Sequence, residues 1–203
     1  MNEMLQNKEN KMKKSIGASP TIYPTPALVV GSYDNDGKPN VKTAAYGGVC
    51  CGKPPCINVC LRAATYSHKN IMDKMAYTVS IAPEKYAKEM DFFGMASGRD
   101  VDKFAATGLT PIKSDVVDAP YVEEFPVVIE CKVKEVVELG LHTMFVGEVM
   151  DIKADEDALH EKTNKPAMEI FKPVIFDMGT SSYFGPGENL GRAFGLGKSF
   201  MKG

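Results

Sequence analysis

The sequence contains no tryptophan, and its 203 residues include only 3 histidines, at positions 68, 142 and 160. Three scattered histidines are too few for a histidine-based zinc site. The sequence also lacks the Gly-x-Gly-x-x-Gly fingerprint of Rossmann domains, the phosphate-binding P-loop and the Gly-x-Ser-x-Gly nucleophile elbow. A Rossmann site for a tightly held dinucleotide is therefore unsupported, and functional residues must be sought outside these standard motifs.

Long apolar runs and a strong net charge are also missing. No run approaches the roughly 20 residues needed to span a bilayer, and residues 1–10 lack the apolar core of a signal peptide. A net charge of -2 provides no basic field for nucleic acid. The 44% hydrophobic and 25% charged content is typical of a globular protein. We therefore expect a cytoplasmic protein that binds neither membranes nor nucleic acid.

The 5 cysteines are an odd number, which argues against a disulfide framework. Four of them cluster as Cys50, Cys51, Cys56 and Cys60, without the Cys-x2-Cys spacing of structural zinc sites. Even spacing places Cys56 and Cys60 on one face of a predicted strand. Buried, inert thiols are the favoured interpretation and no metal site is predicted, but a redox or metal role stays open as the alternative.

Several short strands with helices inserted between them are predicted from local patterns. An Asp-Gly turn at 33–39 joins two strands, and Ile129, Cys131 and Val133 alternate with charged residues as in a half-buried strand. This pattern favours a closed or partly closed antiparallel barrel over a parallel α/β fold. Strands are predicted at 27–32, 41–49, 57–61, 77–81, 126–134 and 143–152, and helices at 67–75, 85–93 and 100–106.

Two segments combine cations with predicted helix starts. Residues 62–70 offer the Arg62 guanidinium and several hydroxyls beside a helix N-terminus, which together suit an anion such as phosphate. Residues 97–104 offer a Ser-Gly turn followed by Lys103. A capped surface helix explains the first segment equally well, and a solvated helix start explains the second.

His142 opens a third candidate segment, 142–149, at the start of a strand. A lone histidine in such a place is more often structural than functional. If it faces a cofactor, it can donate a hydrogen bond or stabilise negative charge.

Taken together, these segments resemble the flavin reductase-like, FMN-binding split-barrel family, and within it the flavoredoxin-type branch. The resemblance covers roughly residues 12–184, and several motifs occur in the family's order. These are Asn40–Gly48, Pro54-Pro55, Leu61-Arg62 with Thr65–Ser67, Ser97-Gly98 with Asp102–Phe104, Gly108–Thr110, and His142-Thr143 with Val146–Val149.

The resemblance implies a Greek-key, antiparallel split β-barrel that binds FMN non-covalently at a homodimer interface. It assigns the phosphate end of FMN to Arg62, Tyr66 and Ser67. It places Thr43, Ala44 and Ala45 on a strand beside the flavin ring, and the small size of the alanines agrees with close approach. The other implied cofactor-binding residues are Tyr46, where relatives often carry tryptophan, Ser97, Gly98, Lys103, and His142 near the polar edge of the ring.

Three functions remain open at this point. The first is an electron-transfer flavoprotein that exchanges electrons with a redox partner protein, and the second is an NAD(P)H-dependent flavin reductase. The third is a ligand-binding barrel without redox turnover. The flavin itself supplies the redox chemistry, so that the protein must supply orientation, stacking and charge.

The predicted organisation is one domain with two appendages. Residues 1–14 are expected to form a flexible leader, residues 15–178 the FMN-binding split-barrel domain, and residues 179–203 a glycine-rich tail.

Overall fold

The computed structural model describes residues 12–201, so that most of the expected leader at 1–14 lies outside the described residues. The strands are β1 (Thr25–Pro26), β2 (Leu28–Tyr33), β3 (Pro39–Ala44), β4 (Gly47–Gly52), β5 (Pro55–Arg62), β6 (Ala76–Ile81), β7 (Pro111–Lys113), β8 (Pro120–Val122), β9 (Val127–Leu139), β10 (His142–Ala154), β11 (Leu159–His160), β12 (Lys165–Pro166), β13 (Ile175–Asp177) and β14 (Ser182–Phe184). The helices are α1 (Tyr66–Lys74), α2 (Ala87–Met95), α3 (Lys103–Thr107) and α4 (Met168–Phe171), with 3₁₀ turns at Glu84–Tyr86, Glu156–Ala158 and Leu196–Met201.

Seven strands form one antiparallel sheet in the order β3-β2-β6-β9-β10-β5-β4. Three neighbouring pairs are hairpins, namely β2–β3, β4–β5 and β9–β10. The three hairpins are joined into one sheet in two places. β6 pairs with both β2 and β9, and β5 pairs with β10. The sheet curls until β3 contacts β5, which brings the end of β3 beside the end of β5. The predicted mainly β fold with inserted helices is confirmed.

The sheet is buried on both faces along β2. Leu28 and Val30 point into a core cluster enclosed by the curled sheet, which also contains Phe145. Ala27 and Val29 point the other way, into a second cluster that includes side chains of α2 and α3. Burial contributes about 1.5–3 kcal/mol for each large side chain, so that the two clusters fix the positions of β3, α2 and α3 relative to one another.

The β9–β10 hairpin is the longest element pair, with 13 residues in each strand. Gly140, with φ 66°, forms its turn, a backbone conformation that glycine adopts without steric cost. Glu130 lies on the face expected from the alternation but is fully buried. Its partner is Lys153, whose ammonium lies 3.1 Å from the carboxylate and over the Tyr121 ring of β8.

Three differences from the sequence-based boundaries bear on the site. The strand predicted at 41–49 is two strands, because the chain turns at Ala45 and Tyr46 between β3 and β4. The helix predicted from Ser67 is instead capped by Thr65, whose side chain accepts from the His68 N–H. The helix predicted at 100–106 begins only at Lys103, and Gly108 ends it in the left-handed conformation.

The tail predicted from residue 179 starts with an ordered strand. β14 pairs with β13, and the Tyr183 hydroxyl donates a hydrogen bond of 2.9 Å to Asp91 of α2. Beyond it the apolar side chains are exposed; Phe194 and Phe200 are 100% and 92% exposed. Within residues 12–201, no helix is long and apolar enough to cross a membrane.

Candidate functional site

The N-terminus of α1 is the centre of the candidate site. The chain leaves β5 at Arg62, and Thr65 caps the helix while donating its own hydroxyl hydrogen to the Arg62 carbonyl at 2.9 Å. The first turn, Tyr66–His68, contains no acidic side chain. The free N–H groups and the positive end of the helix dipole therefore stay available to an external anion.

Two cations lie close to each other near this helix end. Lys42, on β3, is half-buried, and burial followed by the nearby Arg62 lowers the pKa of its ammonium. Arg62 itself is exposed at the end of β5. Among residues 12–201, no carboxylate forms an ion pair with either of them. Two neighbouring cations without a counter-charge favour the binding of an anion between them.

A third cation, Arg99, lies beside the helix start. The Arg99 guanidinium donates to the Ala64 carbonyl at 3.0 Å and lies 5.6 Å from the centre of the Tyr66 ring. The Tyr66 hydroxyl donates to Asp34 at 2.6 Å, and this bond raises the pKa of Tyr66 to about 12. Tyr66 thus joins α1 to the β2–β3 turn, and its hydroxyl proton is used in the hydrogen bond to Asp34.

Beneath the helix start lies a buried polar contact between three predicted segments. The Asn40 side-chain amide donates to the Ser67 hydroxyl at 2.9 Å, and both residues are buried. Gly98 approaches so closely that a Cβ built on it would lie 2.1 Å from Asn40 Oδ1. That oxygen has no hydrogen-bond donor among the described residues. A buried acceptor without a donor is costly, and this oxygen is enclosed by the protein, with Gly98 directly against it.

The other side of β3 faces α2 and α3. The Lys103 ammonium is buried and donates to the carbonyls of Val41 and Phe93, both at 2.8 Å. Phe93 lies in the last turn of α2, where a cation complements the negative end of the helix dipole. Burial, followed by Lys42, lowers the pKa of Lys103 to about 8. Thr43 donates its hydroxyl hydrogen to the Met90 carbonyl of α2. Both side chains hold β3 against the helices.

The β3–β4 turn supplies the remaining predicted residues. Ala44 lies in the inner core, whereas Tyr46 is 37% exposed and its ring centre lies 5.0 Å from that of His142. His142 pairs across the sheet with Arg62. His142 therefore neighbours both the Tyr46 ring and Arg62.

A cavity of about 250 Å³ opens beside this turn. Thr43, Ala45 and Gly94 form one side of it, and the aromatic rings of Phe176 and Tyr183 form the other. A larger cavity of about 390 Å³ lies elsewhere, but Glu84, Glu124, Asp155 and Asp157 line it. Lys85 and Lys172 also line the larger cavity, and the smaller one is lined by a single carboxylate, Asp91, which accepts a hydrogen bond from Tyr183. Its place beside the β3–β4 turn makes the smaller cavity the better candidate for an aromatic ligand.

The structure brings most of the predicted residues together around the end of β3 and the start of α1. Arg62, Ser67 and Gly98 surround the helix start, and Tyr46 and His142 lie on the adjoining side. Three further residues near the helix start were not predicted as site residues, namely Lys42, Asn40 and Arg99. Side chains at every second position of a strand lie on the same face. The position of Ala44 could therefore have indicated that Lys42 and Asn40 lie on the same face of β3. The roles of all these residues toward a cofactor stay predictions.

Comparisons with known proteins identify the family and the fold of the chain. Residues 21–177 match the model of the Flavin reductase like domain. The chain is 46% identical to the flavoredoxin of Desulfovibrio vulgaris (Miyazaki F), with 92% of this chain and 100% of that chain covered and a TM-score of 0.87. A protein with a split barrel domain from Shewanella frigidimarina, 23% identical over 84% of this chain and 85% of that chain, has a TM-score of 0.75. The predicted split-barrel fold is confirmed.

Curated relatives match over shorter segments. A ferric-chelate reductase (NAD(P)H) of Archaeoglobus fulgidus is 32% identical over 107 residues, which are 52% of this chain and 62% of that protein. The chain spans 61% to 65% of the length of three of the curated relatives that it matches.

Proposed function

The chain belongs to the flavin reductase like domain family, and from this premise we propose that it binds FMN non-covalently and transfers electrons through it. The observation that carries the proposal is the pair of cations, Lys42 and Arg62, beside a helix N-terminus without a carboxylate partner in residues 12–201. A phosphate dianion would supply the missing negative charge.

Each residue then has a physical role in holding the cofactor. Arg62, Lys42 and the α1 N–H groups bind the phosphate, and a guanidinium fork suits its oxygens. The small side chain of Ala45 lets the flat ring approach the end of β3, whereas the Ala44 side chain points into the core, and Tyr46 packs at the side of the ring. Lys103 and Thr43 keep β3 in place from the opposite face. Bound FMN supplies the electron transfer, and the chain supplies orientation and charge.

The experiment that tests this proposal is an anaerobic visible spectrum of the purified protein. We expect flavin bands, or their appearance with tight binding when FMN is added. A protein that stays colourless after FMN is added and desalted would contradict the proposal and favour the non-redox ligand-binding barrel.

A second candidate within the same chemistry is an NAD(P)H-dependent flavin reductase. The match to the ferric-chelate reductase (NAD(P)H) favours it, and the cavity beside Ala45 leaves room next to the ring. The same spectrum separates the two candidates. Prompt bleaching with NADH or NADPH indicates the reductase, whereas bleaching only with dithionite or a reduced partner protein indicates an electron carrier.

His142 is expected to make the bound flavin easier to reduce. Its imidazole lies beside Tyr46 and across the sheet from Arg62, where a hydrogen bond or positive charge stabilises the negative charge of a reduced ring. The His142→Ala variant should therefore show a lower midpoint potential, measured by dye-coupled titration. His160→Ala, in the remote β11, is the matched control. An unchanged potential in His142→Ala would rule out the tuning role.

We also infer a homodimer that covers the open side of the site. Leu139 and Leu141, at the tip of the β9–β10 hairpin, are 56% and 63% exposed next to His142. Exposed apolar side chains beside a site are typical of an interface, and two-fold pairs are the commonest assembly. Sedimentation velocity should show a dimer that Leu139→Lys with Leu141→Lys dissociates. A monomeric parent protein would contradict the inference.

A cytoplasmic location follows as a proposal from the thiols. All 5 cysteines are free in the structure, and free thiols persist in reducing compartments. Fractionation of the native host, with immunodetection of the protein, tests the location; recovery from an extracytoplasmic fraction would contradict it.

A further inference from the structure

The β4–β5 hairpin concentrates three thiols around a two-residue turn. Cys50 and Cys51 lie on β4, and Cys56 follows the turn on β5. Cys51 and Cys56 are direct cross-strand partners in the register of the hairpin. An irregularity between Val49 and Cys51 leaves Cys50 without a cross-strand partner in this register. Only one of the two adjacent cysteines therefore faces Cys56.

The register places Cys51 and Cys56 at disulfide-forming distance. Opposite residues of an antiparallel pair have Cα atoms about 4.5 or 5.5 Å apart, depending on the type of pair. Both values fall within the range of about 4.4–6.8 Å found in disulfides. Opposite side chains also lie on the same face of the sheet. The Cα separation of the two residues therefore permits a bridge, which the Cys56 thiol would form by leaving its hydrogen bond of 3.5 Å to the Pro54 carbonyl.

The remaining cysteines lack this arrangement. Cys60 faces Met144 across the sheet. Cys131 is fully buried in the inner core beside Tyr77, and burial raises its pKa to about 12. Residues 12–201 contain no group of three or more histidine, cysteine or acidic side chains that could hold a metal ion. The hairpin thiols are thus better suited to pairing with each other than to binding a metal.

The two partners differ in accessibility. Cys51 is exposed, whereas Cys56 is 4% exposed. Burial, followed by the neighbouring thiols Cys51 and Cys50, raises the pKa of Cys56. An incoming disulfide can therefore reach the Cys51 sulfur directly, while Cys56 lies behind it in the position of a second, resolving thiol. Reactivity of cysteine depends on access and on thiolate content in this way.

We propose that Cys51 and Cys56 form a redox-active dithiol that reduces an external disulfide by exchange. The Cys51 thiolate attacks one sulfur of the disulfide, its S–S bond breaks, and the released thiolate takes up the proton lost by Cys51. The Cys56 thiolate then attacks the Cys51 sulfur and expels the second thiol, which takes the proton lost by Cys56. Two electrons pass from the protein pair to the external disulfide, which becomes two thiols.

This dithiol uses none of the residues assigned to FMN and lies far along β5 from the phosphate end of the proposed site. Cys56 and Arg62 are six residues apart on β5, which corresponds to about 20 Å at the ordinary rise of a strand. The dithiol can therefore fail while FMN binding is intact, and FMN content measured in the same samples distinguishes the two failures.

The test uses the full chain with its flavin, reduced with dithiothreitol, desalted and exposed to glutathione disulfide without oxygen. Samples are quenched with N-ethylmaleimide and analysed by intact mass and peptide mapping. The wild type should lose two hydrogens and show one Cys51–Cys56 linkage. Cys50→Ser, the matched control at the neighbouring position, should behave in the same way. Cys56→Ser should stop at a mixed disulfide on Cys51.

Cys51→Ser separates the proposal from its alternatives, and substitution at this exposed position disturbs no core packing. It should lose the internal linkage, with at least a tenfold slower release of the second thiol from glutathione disulfide. Internal oxidation of Cys51→Ser at the wild-type rate, a Cys50–Cys56 linkage in the wild type, or disulfides only between chains would each overturn the proposal.

Discussion

Replacing Arg62 by methionine is expected to weaken FMN binding by about 10- to 100-fold. A hydrogen bond to a charged group contributes about 1.5–3 kcal/mol, and 1.4 kcal/mol corresponds to a factor of ten in affinity. Arg62 is exposed and forms no ion pair within residues 12–201, so its removal breaks no salt bridge there. The loss should therefore appear in FMN affinity, measured by flavin fluorescence quenching, and leave the urea midpoint unchanged.

The matched control is Lys113→Met, which removes an exposed cation from β7, outside the α1 site. It should leave the dissociation constant of FMN within a factor of about two. Lys42 and Arg62 are expected to contact the same phosphate. The loss of FMN binding free energy on replacing both residues should therefore be smaller than the sum of the losses in the two single variants. Riboflavin, which has no phosphate, provides a ligand control. If Arg62→Met weakened riboflavin and FMN binding equally, the phosphate assignment would be wrong.

The parts of the fold that the sequence predicted are those governed by local rules. The Asp36-Gly37 turn and the Gly108 helix stop each depend on a few neighbouring residues, and both are present. The β9 alternation holds from Cys131 to Lys134 but not at Glu130, which is buried. The prediction of one continuous strand at 41–49 was wrong. Small residues occupy both sides of the turn at Ala45 and Tyr46, so that no change in the sequence pattern marks it. Gly47 is small for a nonlocal reason: a Cβ built on it would lie 2.5 Å from the Asn58 carbonyl oxygen.

The candidate site shows the same division between local and nonlocal information. Arg62 and Ser67 lie within one short segment, so that a sequence motif can connect them. Asn40 and Lys42 belong to the site only because the sheet curls and places β3 beside the end of β5. Lys103 was predicted as a cofactor contact. Its ammonium donates to two backbone carbonyls, and no sequence pattern reveals these hydrogen bonds. The contact of Lys103 with FMN stays a prediction.

Replacing Gly98 by alanine is expected to damage the helix end that the proposed phosphate site uses. The added Cβ would lie 2.1 Å from Asn40 Oδ1 and 2.8 Å from Tyr66 Cδ1. Asn40 is held by Ser67, and Tyr66 by Asp34, so neither neighbour can move without breaking a hydrogen bond of α1. Overpacking of this kind costs about 1–3 kcal/mol of the free energy of unfolding. Urea denaturation of the FMN-free protein measures that cost.

Gly48→Ala is the control, because a Cβ there has no neighbour within 4 Å, and its free energy of unfolding should stay equal or rise by about 0.4–1 kcal/mol. FMN affinity then distinguishes two roles for Gly98. If the glycine serves packing alone, a stabilising osmolyte that restores the folded fraction should restore FMN binding in Gly98→Ala. If it positions the α1 N-terminus, the fully folded variant should still bind FMN at least tenfold more weakly than the wild type. We expect the second result, because both displaced neighbours belong to the contacts that orient the phosphate end.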